Sequence, residues 1–412
     1  MTVTRSDSGR SSNHEIDPRE ETRLVCKLDR HIIPVVMLLY LFSFLDRVNI
    51  GNARLYGLEQ DLHITSSQYS LAVSILFVTY LLSELPSNWI LKHYVSPSRW
   101  LAFITTSWGI IATLTGITSS YAGLIACRLL LGLVEGGLFP GCAIYLTFFY
   151  TKRELALRIG YLFVSAALAG ALGGLLAYGI GYMDGVAGLR GWRWILIIEG
   201  LPTFLLGIAS WWLLADDPGT AWYLDARERR LVRARRATQM GQMDDFEWED
   251  ARAGLGDWKV WAFAAAQFGL DTMLYGFSTF LPTIIKGIRP GSSQAVVQVL
   301  TIPCYALGAV SYMAAARFSD ARQTRAPVIC AFGCISIVGY GLLLSDGSTG
   351  VHYAGCFLVA MGLYVSVGIP LAWLPSNSPR YGKRTTATGL QLTIGNAAGV
   401  LAPFVSLARA IF

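Results

Sequence analysis

Apolar residues along this chain come in blocks of about twenty, with short polar punctuation between them. Blocks lie near 33–53, 69–90, 99–117, 121–149, 157–182 and 193–214, and again near 258–285, 295–316, 326–345, 351–374 and 386–407. A helix needs about 20 residues to cross roughly 30 Å of hydrocarbon, so each block is long enough for one crossing. The predicted fold is all-α and polytopic, with about eleven spans: six, a hydrophilic linker, then five. The linker, 215–257, holds Asp216-Asp217-Pro218-Gly219 and the basic run from Arg227 to Arg236. Residues 1–32 are polar, rich in Ser, Arg and Glu, and are expected to form a disordered tail. The expected organisation is therefore that tail, a six-helix bundle over 33–214, the linker, and a second bundle over 258–412.

Composition strengthens the pattern. Hydrophobic residues make up 53% of the chain and charged residues only 15%, against about 25% charged in a soluble domain. The 42 glycines fit the same picture, because small residues let membrane helices approach closely. The net charge of +6 does not indicate nucleic acid, since the basic residues lie between apolar blocks and not on one face. Six of the seven cysteines sit inside apolar runs, which predicts buried small hydrophobes and neither disulfides nor metal.

The placement of basic residues sets an orientation. One set of loops holds Lys92, Arg99, Lys152, Arg153, Arg158, the Arg227–Arg236 run, Arg317, Arg322, Arg325, Arg380, Lys383 and Arg384. The other set keeps only Arg54, Arg190, Arg193, Lys286, Arg289 and the terminal Arg409. By the positive-inside rule the N-terminus is expected in the cytosol. A faint self-similarity links the loop Arg317-Phe-Ser-Asp320-Ala-Arg322 to Lys92 through Arg99 in the first half. Repeats of this kind suggest two similar bundles around a central site.

Ionisable residues within spans carry the chemistry, because each costs about 2.5–3.5 kcal/mol at a helix centre unless it has a partner or a wet cavity. Span one has Asp46-Arg47-Val48-Asn49, and span four has Arg128 and Glu135 seven residues apart, on one helical face. The functional reading is a central anion site in which the two guanidinium forks hold a carboxylate, with Asp46 and Glu135 loading and releasing protons. The alternative is that Asp46 pairs with Arg128, or Glu135 with Arg47, to lock helices together. Tyr80, Trp373, Gln391 and Asn396 are candidates for orienting contacts, and Asp271 with Tyr275 for the cavity wall. Arg193 and Glu199, among Trp192 and Trp194, are expected to be an interfacial anchor with a nearby ion pair. No Walker loop, nucleophile elbow or metalloprotease helix appears, and the linker is too short for a nucleotide-hydrolysing domain. The expectation is a carrier without cofactor and not an enzyme.

The quoted residues resemble the major facilitator superfamily, and within it the anion:cation symporter branch of fungal allantoate- and nicotinate-type permeases. The resemblance runs through Leu45-Asp46-Arg47-Val48-Asn49-Ile50-Gly51-Asn52-Ala53, Glu84-Leu85-Pro86-Ser87-Asn88, and Arg128 through Glu135 to Pro140-Gly141. It continues in Gly191-Trp192-Arg193-Trp194 with Glu199-Gly200, Phe280-Leu281-Pro282-Thr283-Ile284, and Gly395-Asn396 with Gly399 and Pro403. It implies proton-coupled uptake of a small organic anion by alternating access, in a monomer in the plasma membrane. Arg47 and Arg128 would then hold the carboxylate, Asp46 and Glu135 carry protons, and Asn396 hydrogen-bond the substrate. The family pattern has twelve spans, and the expectation here is that the twelfth is lacking. Two other classes stay open at this point: a non-transporting sensor or defective truncated paralogue, and a metabolite exporter.

Overall fold

The computed structural model describes residues 18–240, 248–322, 324–378 and 381–409. Among them the chain is helical throughout. The first half comprises α1 (Pro18–Leu55), a short α2 (Leu58–Asp61), α3 (Ser66–His93), α4 (Pro97–Thr115), α5 (Tyr121–Glu135), α6 (Leu138–Phe149), α7 (Lys152–Gly181) and α8 (Gly191–Leu213). Two polar helices follow, α9 (Ala226–Met240) and α10 (Trp248–Gly256). The second half comprises α11 (Trp258–Ile288), α12 (Gln294–Arg322), α13 (Ala326–Leu344), α14 (Thr349–Ser376) and α15 (Tyr381–Arg409).

Eight of these segments, with α5 and α6 counted together, carry a run long and apolar enough to cross a membrane. The eleven expected spans include three more helices, α4, α11 and α15, which fall short on apolarity while matching the others in length. In α4 the shortfall is in threonines, and Thr105, Thr106, Thr113 and Thr115 each donate to the carbonyl one turn back. That removes the cost of burying their hydroxyls. In α11 and α15 the polar residues are Gln267, Asp271, Gln391 and Asn396, which return below. Outward positions such as Leu82, Phe103, Leu130, Leu133, Ile337 and Val338 are exposed, so the apolar faces look away from the protein.

The expected span four is broken. It stops at Glu135, turns through Gly136-Gly137, and resumes at Leu138. Glycine is required on this helix for close approach: a Cβ on Gly132 would strike the Leu76 carbonyl and one on Gly136 the Tyr80 carbonyl. α5 is therefore pressed backbone to backbone onto α3, which fixes the depth of Arg128 and Glu135.

In the first half α4 lies along α8, α3 along α5, and α1 against α7 and α8. In the second, α13 lies on α14, α11 along α15, and α12 on α14. The halves meet through α7 with α12, α3 with α15 and α1 with α11. This seam is again tight, since a Cβ on Gly51 would strike the Thr279 carbonyl, one on Gly170 the Tyr305 ring, and one on Gly399 the Phe77 ring. Gln294 Nε2 donates to the Leu55 carbonyl at 2.6 Å, and the Arg54 guanidinium lies 4.6 Å from the Tyr69 ring and 5.7 Å from that of Phe280. These contacts run from mid-span to the end of the molecule where α1 finishes.

At the opposite end the expected disordered tail gives way to structure. Residues 18–32 are the first four turns of α1, whereas residues 1–17 lie outside the described residues. Leu24, Leu28, Ile32 and Val36 recur at one-turn spacing and are all buried. The charged residues between them pair across to α9 and α7: Lys27 with Glu228 at 2.7 Å, Glu20 with Arg227 at 2.6 Å, Glu21 with Arg235 at 2.8 Å and Asp29 with Arg158 at 2.6 Å. A composition that looks disordered is thus one face of an amphipathic helix. α9 starts at a reciprocal cap, in which Asp225 Oδ1 accepts from the Glu228 N–H at 2.8 Å and Glu228 Oε2 from the Asp225 N–H at 2.9 Å. α10 packs on α15, and the ion pair between Asp257 and Lys383, at 2.6 Å, lies at that junction.

Candidate functional site

The site grows from one turn of α1. Ser43 and Arg47, four residues apart, share a helical face, and both meet Glu135 at the end of α5. Arg47 Nε donates to Glu135 Oε1 at 2.9 Å, and Ser43 Oγ donates to the same oxygen. Glu135 is wholly buried, and its other oxygen has no hydrogen-bond partner. The Arg47 guanidinium is also ringed by aromatic faces, 5.0 Å from Tyr80, 5.2 Å from Phe44 and 5.7 Å from Phe77. Such contacts hold a cation where water is scarce.

Arg128, two turns before Glu135 on α5, behaves differently. It is 1% exposed, and its Nε and one terminal nitrogen have no hydrogen-bond partner. It lines a cavity together with Arg47, Phe77, Tyr275, Ser278 and Thr279. A buried guanidinium with unused donors is costly, and the partner that removes the cost is an anion that presents two acceptors.

A second, larger cavity adjoins the first and shares Phe44, Arg47, Leu274 and Tyr275 with it. Tyr40, Ser43, Tyr80 and Glu135 line it from the first half, and Gln267, Asp271, Tyr275 and Asn396 from the second. Tyr275 OH donates to Asn396 Oδ1 at 3.0 Å, which ties α11 to α15 at the wall. Lining from both halves makes this the place where a ligand would be held between them.

Of the residues singled out from sequence, Arg47, Arg128, Tyr80, Tyr275, Asn396 and Glu135 converge on these cavities. Asp46 and Trp373 line neither. Asp46, one residue from Arg47, points about 100° away around the helix and accepts from Trp108 Nε1 at 3.2 Å, inside the first half. Trp373 packs edge-on against Phe263, with ring centroids 5.2 Å apart. The two readings of the intramembrane charges are also partly merged, because Glu135 does pair with Arg47, whereas Arg128 forms no ion pair among the described residues. The ion pair expected near Trp192 and Trp194 is made by Arg193 with Asp61, at 2.9 Å, and not with Glu199, which is buried with both oxygens unpartnered. Sequence reasoning missed Ser43, Phe44, Phe77 and Gln267. Ser43 was findable one turn before Arg47, and Gln267 one turn before Asp271. The aromatics carry no such signal among so many.

Residues 36–403 match the family described as the Major Facilitator Superfamily. The chain belongs to the major facilitator superfamily. This facilitator is 42% identical over 393 residues to an uncharacterized transporter of Schizosaccharomyces pombe, an alignment covering 95% of this chain and 78% of the relative. It is 33% identical over 415 residues to the high-affinity nicotinic acid transporter of Saccharomyces cerevisiae, covering 99% and 76%. Among solved structures it resembles a bacterial homolog of the human lysosomal transporter Spinster, with TM-score 0.73 and 16% identity over 96% of this chain and 84% of that one. A D-xylose–proton symporter gives TM-score 0.68 at 14% identity, covering 91% and 88%. The facilitator fold, the apolar outward faces and these relatives make the chain a multi-pass membrane transporter of a small molecule.

Proposed function

We propose that this facilitator is a secondary active transporter that takes up a small organic anion together with a proton by alternating access. The observation that carries the reading is Arg128, buried at the cavity with unused guanidinium donors. A carboxylate supplies the two acceptors that this fork lacks, and Arg47 stands in the adjoining wall to share the charge. The high-affinity nicotinic acid transporter of yeast, a relative named for a carboxylic acid, supports the substrate class.

Coupling follows from competition for Arg47. Its present partner is Glu135. When the substrate carboxylate draws Arg47 toward the cavity, Glu135 stays buried without its cation, a state costly enough to favour uptake of a proton. Release of substrate returns Arg47 to Glu135 and expels that proton. Asp46, held by Trp108, is the second proton carrier, one step removed from the substrate.

The loop charges support a cytosolic N-terminus, and the reading assigns the protein to the plasma membrane as a monomer. In that orientation the glycine seam closes the external end, and α9 with the N-terminal turns of α1 lies in the cytosol. The bundles over 33–214 and 258–412 then rock about the cavity. The test is uptake of labelled carboxylates into proteoliposomes at acid and neutral interior pH. Accumulation driven by an imposed proton gradient and collapsed by a protonophore is expected, and protonophore-insensitive accumulation would overturn the coupling.

A further inference from the structure

The two walls of the cavity differ in what they leave unused. The wall from the first half has spare donors, those of Arg128. On the opposite wall Gln267 Nε2 donates to Asp271 Oδ1 at 2.9 Å, and behind it Gln391, which lines neither cavity, donates through Nε2 to Gln267 Oε1 at 3.3 Å. Both amide donations run in one direction and end on a carboxylate, so each amide spends one of its two N–H donors inward and the chain terminates in acceptor oxygens.

The surplus can be located. Gln391 is wholly buried, and its Oε1 has no hydrogen-bond partner. Asp271 is 8% exposed, lines the larger cavity, and among the described residues forms no ion pair. Gly395 packs directly on it, where a Cβ would stand 2.5 Å from Asp271 Oδ2. Asn396 Oδ1, a neighbouring acceptor on this wall, already receives one hydrogen bond from Tyr275. A ligand group that meets Asp271 must therefore donate, and a cationic donor also supplies the charge that Asp271 lacks.

We propose that Asp271, backed by Gln267 and Gln391, binds a hydrogen-bond-donating nitrogen of the substrate, so that the transported class is a small dipolar carboxylate carrying a nitrogen donor at the end opposite its carboxylate. This rests on the anion reading above: the arginines hold one end, and Asp271 reads the other. Asp271 and Gln267 are one turn apart on α11, and α15 brings Gln391 against them, so the acceptor wall is built on two helices packed side by side.

The test uses the full chain in detergent and in proteoliposomes. The probes are piperidine-3-carboxylate and piperidine-4-carboxylate, compared with cyclohexanecarboxylate, which has the same ring shape without the nitrogen. The wild type is expected to bind at least one piperidine acid about tenfold more tightly or better, the gain of one charge-assisted hydrogen bond. Asp271→Asn should erase that preference and leave cyclohexanecarboxylate affinity within about twofold. Gly395→Ala, which presses a methyl onto Asp271, should reduce the same preference and provides the reading if Asp271→Asn does not fold. Equal binding of all three probes by the wild type overturns the inference and leaves the anion site standing. An Asp271→Asn protein that keeps the preference but loses proton-driven accumulation of every probe also overturns it, by assigning Asp271 to proton carriage. Failure of all three probes to bind removes the anion reading and this inference with it.

Discussion

The two halves treat buried polarity in opposite ways. The first half buries ionisable groups, Asp46, Arg128, Glu135 and Glu199, with Arg47 half-buried beside them, and ties only some of them together. The second half presents amides, hydroxyls and one carboxylate to the same cavity. A charge in hydrocarbon is tolerated where it has work to do or a partner, so the first half holds the energetically strained groups and the second the ones that discriminate by hydrogen bonding. Coupling belongs to the first wall, which also holds the carboxylate, and hydrogen-bond discrimination to the second, so those two should be separable by mutation.

The largest effect is expected at Arg128. Arg128→Lys keeps the charge and loses the fork, and carboxylate affinity should fall at least tenfold, on the order of 1.4 kcal/mol or more, as read by titration calorimetry. An unchanged affinity would move the anion site off this residue. Glu135→Gln should come next: binding is retained within a few-fold while accumulation against a gradient disappears in proteoliposomes. If Glu135→Gln still accumulates substrate and Asp46→Asn does not, proton carriage belongs to the Trp108-bound carboxylate. Tyr275→Phe removes the hydroxyl that holds Asn396, and a loss of about 0.5–1.5 kcal/mol in binding is expected with coupling intact. That pattern would mark the second wall as one of recognition alone.

The smallest effect concerns the linker. The Lys383 ammonium holds the Asp257 carboxyl below its ordinary value, and the backbone N–H groups of Glu228 and Arg227 do the same for Asp225. A carboxylate depressed in the folded state contributes stability at every pH above its unfolded value, about 3.9, and loses it as pH falls through the lower folded value. Melting temperature should therefore be insensitive to these groups between pH 7 and 5. Only below about pH 4 should the difference between wild type and Asp257→Asn close.

Much of this was legible because apolar blocks report crossings, and charges inside them report a site. Arg128 and Glu135 could be placed on one helical face from spacing alone, since seven residues is two turns, whereas Arg47 joins Glu135 only through tertiary packing. Asp46 could not be separated from Arg47 that way. Adjacent residues on a helix face different neighbours, and only packing shows that Trp108 waits on one side and the cavity on the other. The helical start at Pro18 was hidden for a related reason, because its charges are satisfied by α9, about two hundred residues away. Glu199 misled because its nearest cation in sequence, Arg193, is captured by Asp61.

The seam of glycines between the halves has a practical consequence. Side chains at an interface usually re-pack when pressed, but a backbone facing a backbone or an aromatic ring has nothing to rearrange. A single methyl at Gly51, Gly170 or Gly399 is thus the smallest wedge that would keep that end from shutting. Such variants would populate one conformation by geometry alone, which makes them natural starting points for raising state-selective antibodies or inhibitors.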